Sequence, residues 1–423
     1  RKDIKMSKKH VIHIGFHPAF ADFLEFEKYN ISVVVHPKVD EGISDELRGK
    51  LSGVGVIDVP HNMNLNEYDS AFDQIEAQVE KLVAKNGEPF AFVGIFEHVT
   101  YPAAKLREKY GLKGTSSKTA YLCRDKVEMK KNLESSDIRV PKNFPVDSGI
   151  DKEALLKLLD QIPGKIVLKP RKQAAAEGVF IFENTEELMS HYHQNGIDED
   201  YQIEEFIDGD ILHFDGVVRD GKLLFMSGAT YLNSCFDYAT NCADLGAVTI
   251  DDSDLMNRAK ELASKITSSL ELNNSVFHLE LFHTKNDELI FLEIGNRFGG
   301  AGVSSLNKFV YGVKLVTEAI YSDLGMPSEI TEKIDTTKDV GAWLYTAYST
   351  KEEAKITEVC GANSLPESVV YSEVAESGKI VNDEITVFGS SGKFFLKGKS
   401  SKEIKKDCET ITKNYVVKLE KLS

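Results

Sequence analysis

Cysteine is scarce and unpatterned in this chain. Five occur in 423 residues, at Cys123, Cys235, Cys242, Cys360 and Cys408. No pair has C-x-x-C or zinc-ligand spacing and the number is odd, which speaks against a disulfide scaffold and a structural zinc site and for free thiols in a reducing, cytoplasmic compartment. Proline is rare too, at 11 residues, and 42% hydrophobic against 28% charged is the balance of an ordinary globular protein. No apolar run approaches the roughly 20 residues of a membrane-spanning helix. The early run Val11-Ile12-His13-Ile14-Gly15 is too short and mixed for the hydrophobic part of a signal peptide, and Met6 is a candidate initiator. Basic surface is missing: 51 lysines and arginines stand against 67 acids, a net charge of −16. That argues against non-specific nucleic-acid binding, although a few lysines can still make one site locally positive. A G-x-G-x-x-G turn is also absent. The first apolar run continues as Gly15-Phe16-His17-Pro18, which removes the plain dinucleotide-binding dehydrogenase from consideration. His13, His17 and His61 read as surface or loop histidines.

What is present is a regular alternation of apolar runs and amphipathic stretches. Val11–Gly15, Ile31–Val35, Gly53–Val59 and Phe90–Gly94 read as buried parallel strands. Between the last two, Tyr68, Phe72, Ile75, Val79 and Leu82 recur at helical spacing within 66–84. The chain thus opens with a doubly wound α/β domain of roughly 110 residues. Further on, 118–135 reads as helix, 165–169, 178–182 and 201–207 as strands, and 185–193 as a helix capped by Thr185. Ile211–Val218 and Lys222–Ala229 form a hairpin around Asp220-Gly221. A long helix follows at 254–270, then two strands at 275–284 and 288–294 around a polar turn. In the last hundred residues 340–347, 380–387 and 393–398 are strand-like, and 401–419 reads as a closing helix. Trp343 reads as core.

Three segments carry chemistry. In the first, Phe277-His278-Leu279-Glu280-Leu281-Phe282 and Ile290-Phe291-Leu292-Glu293-Ile294 each set one carboxylate in an apolar run. Antiparallel pairing across the turn puts Glu280 and Glu293 opposite each other, and facing carboxylates repel unless a cation lies between them. An all-oxygen site suits Mg²⁺ bridging nucleotide phosphates. Arg297 follows by four residues on a loop loosened by Gly299-Gly300, placed to grip a carboxylate or a developing oxyanion. Ordinary edge glutamates, one paired with the arginine, explain the same pattern equally well. The second segment is Lys165–Pro170, where Lys169 closes a buried strand and is placed to hold phosphates; a solvated strand-end lysine is the commoner meaning of that pattern. The third is Gln202–Gly209, an acidic strand running into a hinge that offers backbone groups to an adenine edge, or else a strand end with solvated acids.

Taken in chain order, the Lys169 strand, the acidic hinge and then the carboxylate pair, the segments resemble the ATP-grasp superfamily, in particular its carboxylate–amine (L-amino-acid) ligase branch, over 118–324. The resemblance implies an α/β (α+β ATP-grasp) architecture: an N-terminal α/β domain at 1–115, a small lid subdomain at 116–207, a large catalytic subdomain at 208–326 and a C-terminal α+β domain at 327–423. Cys123-Arg124-Asp125-Lys126 is similar to the segment carrying the first ATP lysine, Lys126, and Lys169 matches the second. Glu204, Glu205, Phe206 and Ile207 fall on the adenine hinge, and His213 on the following strand toward the ribose. Glu280 and Glu293 match the metal carboxylates, Arg297 the arginine that assists acyl transfer, and Gly299 and Gly300 the loop that contacts substrate. Gly295 stands where many members have asparagine, the phosphate loop reads Gln173-Ala174-Ala175-Ala176-Glu177 instead of glycine-rich, and Asp210-Ile211 replace a glutamate after the hinge.

The activity implied is ATP- and Mg²⁺-dependent, with Mn²⁺ as a substitute ion. A carboxylate becomes an acyl phosphate and meets an amine, releasing ADP and phosphate, with amino acids as the substrate class, no nucleic-acid or membrane partner, and homodimerisation as a family habit. A different acceptor (thiol, carrier protein or bicarbonate chemistry) and a non-catalytic ATP-binding regulator are the alternatives. Tyr231–Asp244 is either a lining of the acceptor pocket or a packed connection.

Overall fold

The structure is a computed structural model and describes residues 8–60, 65–173, 178–233, 243–350, 352–381 and 389–422. The four opening strands, Lys9–Ile14, Tyr29–Val35, Gly53–Val56 and Pro89–Val93, form one parallel sheet in the order third, second, first, fourth. Successive side chains of a strand face opposite ways. Val34 therefore packs with Ile75, Val79 and Leu82 of the Phe72–Asn86 helix, while Val33 and Val35 pack with Val39 and Leu47 on the other face. The helix expected over 66–84 divides at Ala71 into Leu65–Ser70 and Phe72–Asn86. His13 is no surface residue: it is buried in the first strand, and burial pushes its imidazole down to about 4, so it packs there uncharged. His17 is exposed, and His61 lies outside the described residues.

The stretch expected as one helix over 118–135 is two, Ser117–Leu122 and Lys126–Glu134. Asp125 separates them, because its carboxylate accepts from the backbone N–H of Val127 and Glu128 and so begins a new helix. A small antiparallel sheet follows, from Asn143–Val146, Tyr201–Glu205, Ile166–Pro170 and Phe180–Phe182 in that spatial order. The helix Thr185–Asn195 packs beneath it, and its cap is Asn184 rather than Thr185, since the Asn184 side chain accepts from the Glu187 N–H.

The largest element is an eight-stranded antiparallel sheet, ordered Leu289–Gly295, Ser275–Thr284, Gly209–Arg219, Lys222–Tyr231, Leu245–Thr249, Val340–Thr346, Gly392–Gly398 and Val369–Val374. It runs across residue 327 without a break, because Leu245–Thr249 pairs with Val340–Thr346. The hairpin at Asp220-Gly221 has φ of 49° and 72°, the left-handed pair that a tight two-residue connection requires. One face of this sheet buries Phe214, Phe277, Leu279 and Phe291 under the Ser253–Ser269 helix. The other packs Val217, Val276 and Trp343 against the Val303–Tyr311 and Leu315–Leu324 helices, and that cluster extends to Val11 and Ala91 of the opening sheet. The closing helix stops at Asn414, short of the expected 419. The β-branched Val416 and Val417 begin a strand, Val416–Lys421, that pairs with Ala354–Cys360. Of the strand expected over 380–387, Ile380–Val381 is described and 382–388 lie outside the described residues.

Trp343 is buried at 1% exposure, and Gly302 lies so close that a Cβ there would stand 2.5 Å from Trp343 Cβ. This contact anchors the end of the loop that carries Arg297. Gly302→Ala should therefore destabilise the fold by about 1–3 kcal/mol, the usual cost of overpacking, read as a lowered urea midpoint with an unchanged slope.

Candidate functional site

Pairing of Ser275–Thr284 with Leu289–Gly295 sets Glu280 directly opposite Glu293. Leu279 and Leu281 turn into the core, so Glu280 stands on the other face of its strand. The Tyr231 hydroxyl donates to Glu280 Oε1 at 2.9 Å. Among the described residues no group hydrogen-bonds Glu280 Oε2. Glu293 Oε2 lies 3.4 Å from Lys126 Nζ. Burial alone would raise the Glu293 pKa, but the charges of Lys126, Lys169, Lys130 and Arg297 outweigh it and hold the carboxyl at about 2.

Each cation is delivered by a different element. Lys126 opens the Lys126–Glu134 helix, and its ammonium also donates to the Gln173 carbonyl at 2.5 Å. The Asp125 cap is gripped by Arg171, with Nη2 to Oδ2 at 2.9 Å, which ties the start of that helix to the end of the Ile166–Pro170 strand. Lys169 on that strand places Nζ 2.6 Å from Glu204 Oε1, and Lys130, one turn after Lys126, places Nζ 3.2 Å from Glu204 Oε2. Burial pushes the Lys130 ammonium down to about 8 against the pull of Glu204. Burial would also raise the Glu204 carboxyl, but the two lysines outweigh it and lower it.

The remaining hinge residues divide by strand alternation. Glu205 turns away from Glu204, accepting from Arg139 Nη2 at 2.9 Å and from the Lys142 N–H at 2.8 Å, so only one carboxylate of the pair joins the lysines. Phe206 lies beyond the strand with Lys165 Nζ 5.5 Å from its ring centroid, and Ile207 is buried. His213 is opposite Glu280 on the neighbouring strand; its Nδ1 meets Asp215 Oδ2 at 2.7 Å, and its buried Nε2 has no hydrogen-bond partner among the described residues.

Arg297 donates from Nε to Glu97 Oε2 and from Nη1 to the Phe298 carbonyl. Glu97 comes from the loop after the Pro89–Val93 strand, and Arg124 holds its backbone carbonyl while lying 3.4 Å from Asp69. Gly300 is open, whereas Gly299 lies against Asp215 and His278. His278 meets Asp215 Oδ1 through Nδ1 at 2.8 Å. Burial would lower the His278 imidazole, but the Asp215 carboxylate and Glu280 lift it to about 9. Residues 174–177 and 234–242, which include most of the phosphate loop and Cys235, Phe236, Asp237 and Tyr238, lie outside the described residues.

These residues fit a divalent ion with a nucleotide. The donors are hard oxygens, Glu293 is ionised at neutral pH, no described residue hydrogen-bonds Glu280 Oε2, and lysines stand close by to hold phosphates. His213, Asp215 and His278 are also near enough to share an ion, but both Asp215 oxygens already meet imidazole nitrogens. Lys130, Glu97 and the Asp215–His278 pair were not read from the sequence. Lys130 had a signal, four residues after Lys126 on one helix face, as did His278, two residues before Glu280 on one strand face. Glu97 had none, since it arrives from 200 residues away.

Residues 123–301 match the ATP-grasp domain family. That stretch is similar to ATP-grasp domains, and the fold of the chain is similar to those of solved proteins. It superposes on an L-amino acid ligase from Bacillus licheniformis with a TM-score of 0.71 at 16% identity, covering 98% of this chain and 99% of that one. A phosphoribosylglycinamide synthetase from Anaerococcus prevotii superposes at 0.68, also 16% identical, covering 98% and 100%. Among curated proteins it is 24% identical to an L-arginine-specific L-amino acid ligase of Bacillus subtilis over 53% of this chain and 56% of that protein. It is 23% identical to an alanine–anticapsin ligase of Bacillus amyloliquefaciens over 91% and 92%. No helix among the described residues is long and apolar enough to cross a membrane.

Lys130 supplies a pH test. Its folded pKa of about 8 lies below the unfolded value near 10.4, so between these limits the folded chain binds fewer protons and this group's contribution to stability rises with pH. The unfolding free energy of the parent, measured relative to Lys130→Met by urea denaturation, should rise from pH 7 to pH 10. A flat or falling difference contradicts a buried, partly deprotonated Lys130.

Proposed function

We propose that this protein is an ATP- and Mg²⁺-dependent ligase that activates a carboxylate as an acyl phosphate and couples it to an amine, with amino acids as the substrate class. The observation that carries the reading is Glu293, opposite Glu280 and held ionised by Lys126, Lys169, Lys130 and Arg297. Phosphoryl transfer needs this combination, cations for the phosphates beside paired carboxylates for an ion. The curated relatives, one named an L-arginine-specific L-amino acid ligase and the other an alanine–anticapsin ligase, support the substrate class.

Glu280 and Glu293 would hold Mg²⁺, or Mn²⁺ in its place, and the ion supplies charge neutralisation on the phosphates. Lys126 and Lys169 turn from Glu293 and Glu204 toward phosphate oxygens, while Lys130 stays with Glu204 so that this carboxylate is not left buried without a counter-charge. The hinge backbone after Glu204 receives the adenine edge. A substrate carboxylate oxygen attacks the γ-phosphorus and ADP leaves; the amine then attacks the acyl carbon, loses a proton and expels phosphate. Arg297, oriented by Glu97, faces the oxyanion that develops on the acyl carbon, and Gly299 and Gly300 let substrate approach the backbone. The small sheet from 143 to 205 acts as the lid that excludes water from the acyl phosphate. Dependence on ATP and the free thiols Cys123, Cys360 and Cys408 fit a cytoplasmic setting.

Purified protein incubated with ATP, Mg²⁺ and pooled amino acids, small carboxylic acids and amines should release ADP and phosphate in a pool-dependent way. Glu293→Ala should abolish release, and Arg297→Ala should lower the rate by about 10²–10³, the usual effect of removing one oxyanion donor. AMP and pyrophosphate as products contradict the mechanism.

A further inference from the structure

Five side chains on the site face of the large sheet close a ring. The Tyr231 hydroxyl donates to Glu280 Oε1 at 2.9 Å, and His278 Nε2 lies 3.5 Å from the same oxygen. His278 Nδ1 meets Asp215 Oδ1 at 2.8 Å, and His213 Nδ1 meets Asp215 Oδ2 at 2.7 Å. The ring closes where the His213 and Tyr231 rings lie 4.8 Å apart between centroids. Asp215 is fully buried, with both oxygens engaged, as a buried carboxylate requires. Both contacts on Glu280 fall on one oxygen, which fixes the carboxylate plane and leaves Oε2 for an ion. On the opposite flank, a Cβ on Gly299 would stand 2.7 Å from Asp215 Oδ1 and 2.8 Å from His278 Nδ1. One pair of side chains therefore touches a metal carboxylate on one side and the substrate loop on the other.

We propose that Asp215 and His278 form a positioning brace, which aims Glu280 at its divalent ion and seats the 297–300 loop against it, so that a disturbance at Gly299 weakens metal binding at Glu280. The proposal rests on the assignment of Glu280 as a metal ligand. A pair kept only for stability would leave the metal affinity of folded variants unchanged, whereas groups that orient ligands typically change affinity on the order of 10- to 100-fold when removed.

The test is Mn²⁺ binding to the full chain with ADP present, read from the electron paramagnetic resonance signal of free Mn²⁺ and independent of any turnover. Unfolding midpoints are measured alongside to select folded variants. Glu280→Gln should lose binding, and His278→Gln should raise the dissociation constant about 10- to 100-fold. Tyr231→Phe should raise it several-fold, and Gly299→Ala about tenfold although Gly299 does not touch Glu280. Combining His278→Gln with Gly299→Ala should give less than the product of the single effects, because both act through one pair. Dissociation constants within about twofold of the parent in folded His278→Gln and Gly299→Ala overturn the brace; if His278→Gln does not fold, Tyr231→Phe and Gly299→Ala decide it. Mn²⁺ binding retained by Glu280→Gln overturns the metal assignment and the brace together. The predicted shifts in a protein that forms no amide support the brace and overturn only the ligase reading.

Discussion

Two carboxylates held opposite each other in an otherwise apolar hairpin repel, and neither packing nor backbone pairing relieves that repulsion. Glu280 and Glu293 are held so by the register of their strands, which cannot slip by one residue without turning Leu279 and Leu281 out of the core. The arrangement is tolerable because cations surround it, and those cations come from the Lys126 helix, the Lys169 strand and the Arg297 loop. The site is thus the place where several elements must meet to balance charge that the large sheet imposes.

The cations find partners inside the protein. Glu204 takes Lys169 and Lys130, Glu293 takes Lys126, and Glu97 takes Arg297. In the proposed function a bound triphosphate would compete for Lys126 and Lys169 with stronger, more numerous acceptors, while Lys130 would keep Glu204 compensated. The opening domain contributes as well. Glu97, itself held by Arg124, reaches Arg297 across the boundary between the parallel and antiparallel sheets, and Asp323 accepts from the Gly94 N–H and pairs with Arg107 nearby. The parallel sheet is therefore coupled to the arginine of the site through the half-buried Glu97–Arg297 ion pair.

Much of this was legible in the residues themselves. The parallel strands, the Asp220-Gly221 hairpin and the pairing of Glu280 with Glu293 follow from apolar runs, left-handed turn residues and the period of two along a strand. Where the reading failed, local chemistry competed with periodicity. Asp125 capped a new helix inside an apparently continuous one, Asn184 outcompeted Thr185 by one position, and Val416-Val417 turned a helical pattern into a strand. His13 was misplaced because a neutral buried histidine looks polar in sequence. In the site, positions carrying their own charge pattern could be found, while Glu97 depends on tertiary folding and leaves no local trace.

In the proposed reaction a substrate carboxylate attacks the γ-phosphorus of ATP between Lys126, Lys169 and the Glu280–Glu293 pair. The most direct measurement supplies amino acids labelled with ¹⁸O in their carboxylates and follows the label into released phosphate by mass spectrometry. One ¹⁸O atom is expected in each phosphate formed with product. Unlabelled phosphate accompanying amide formation contradicts it.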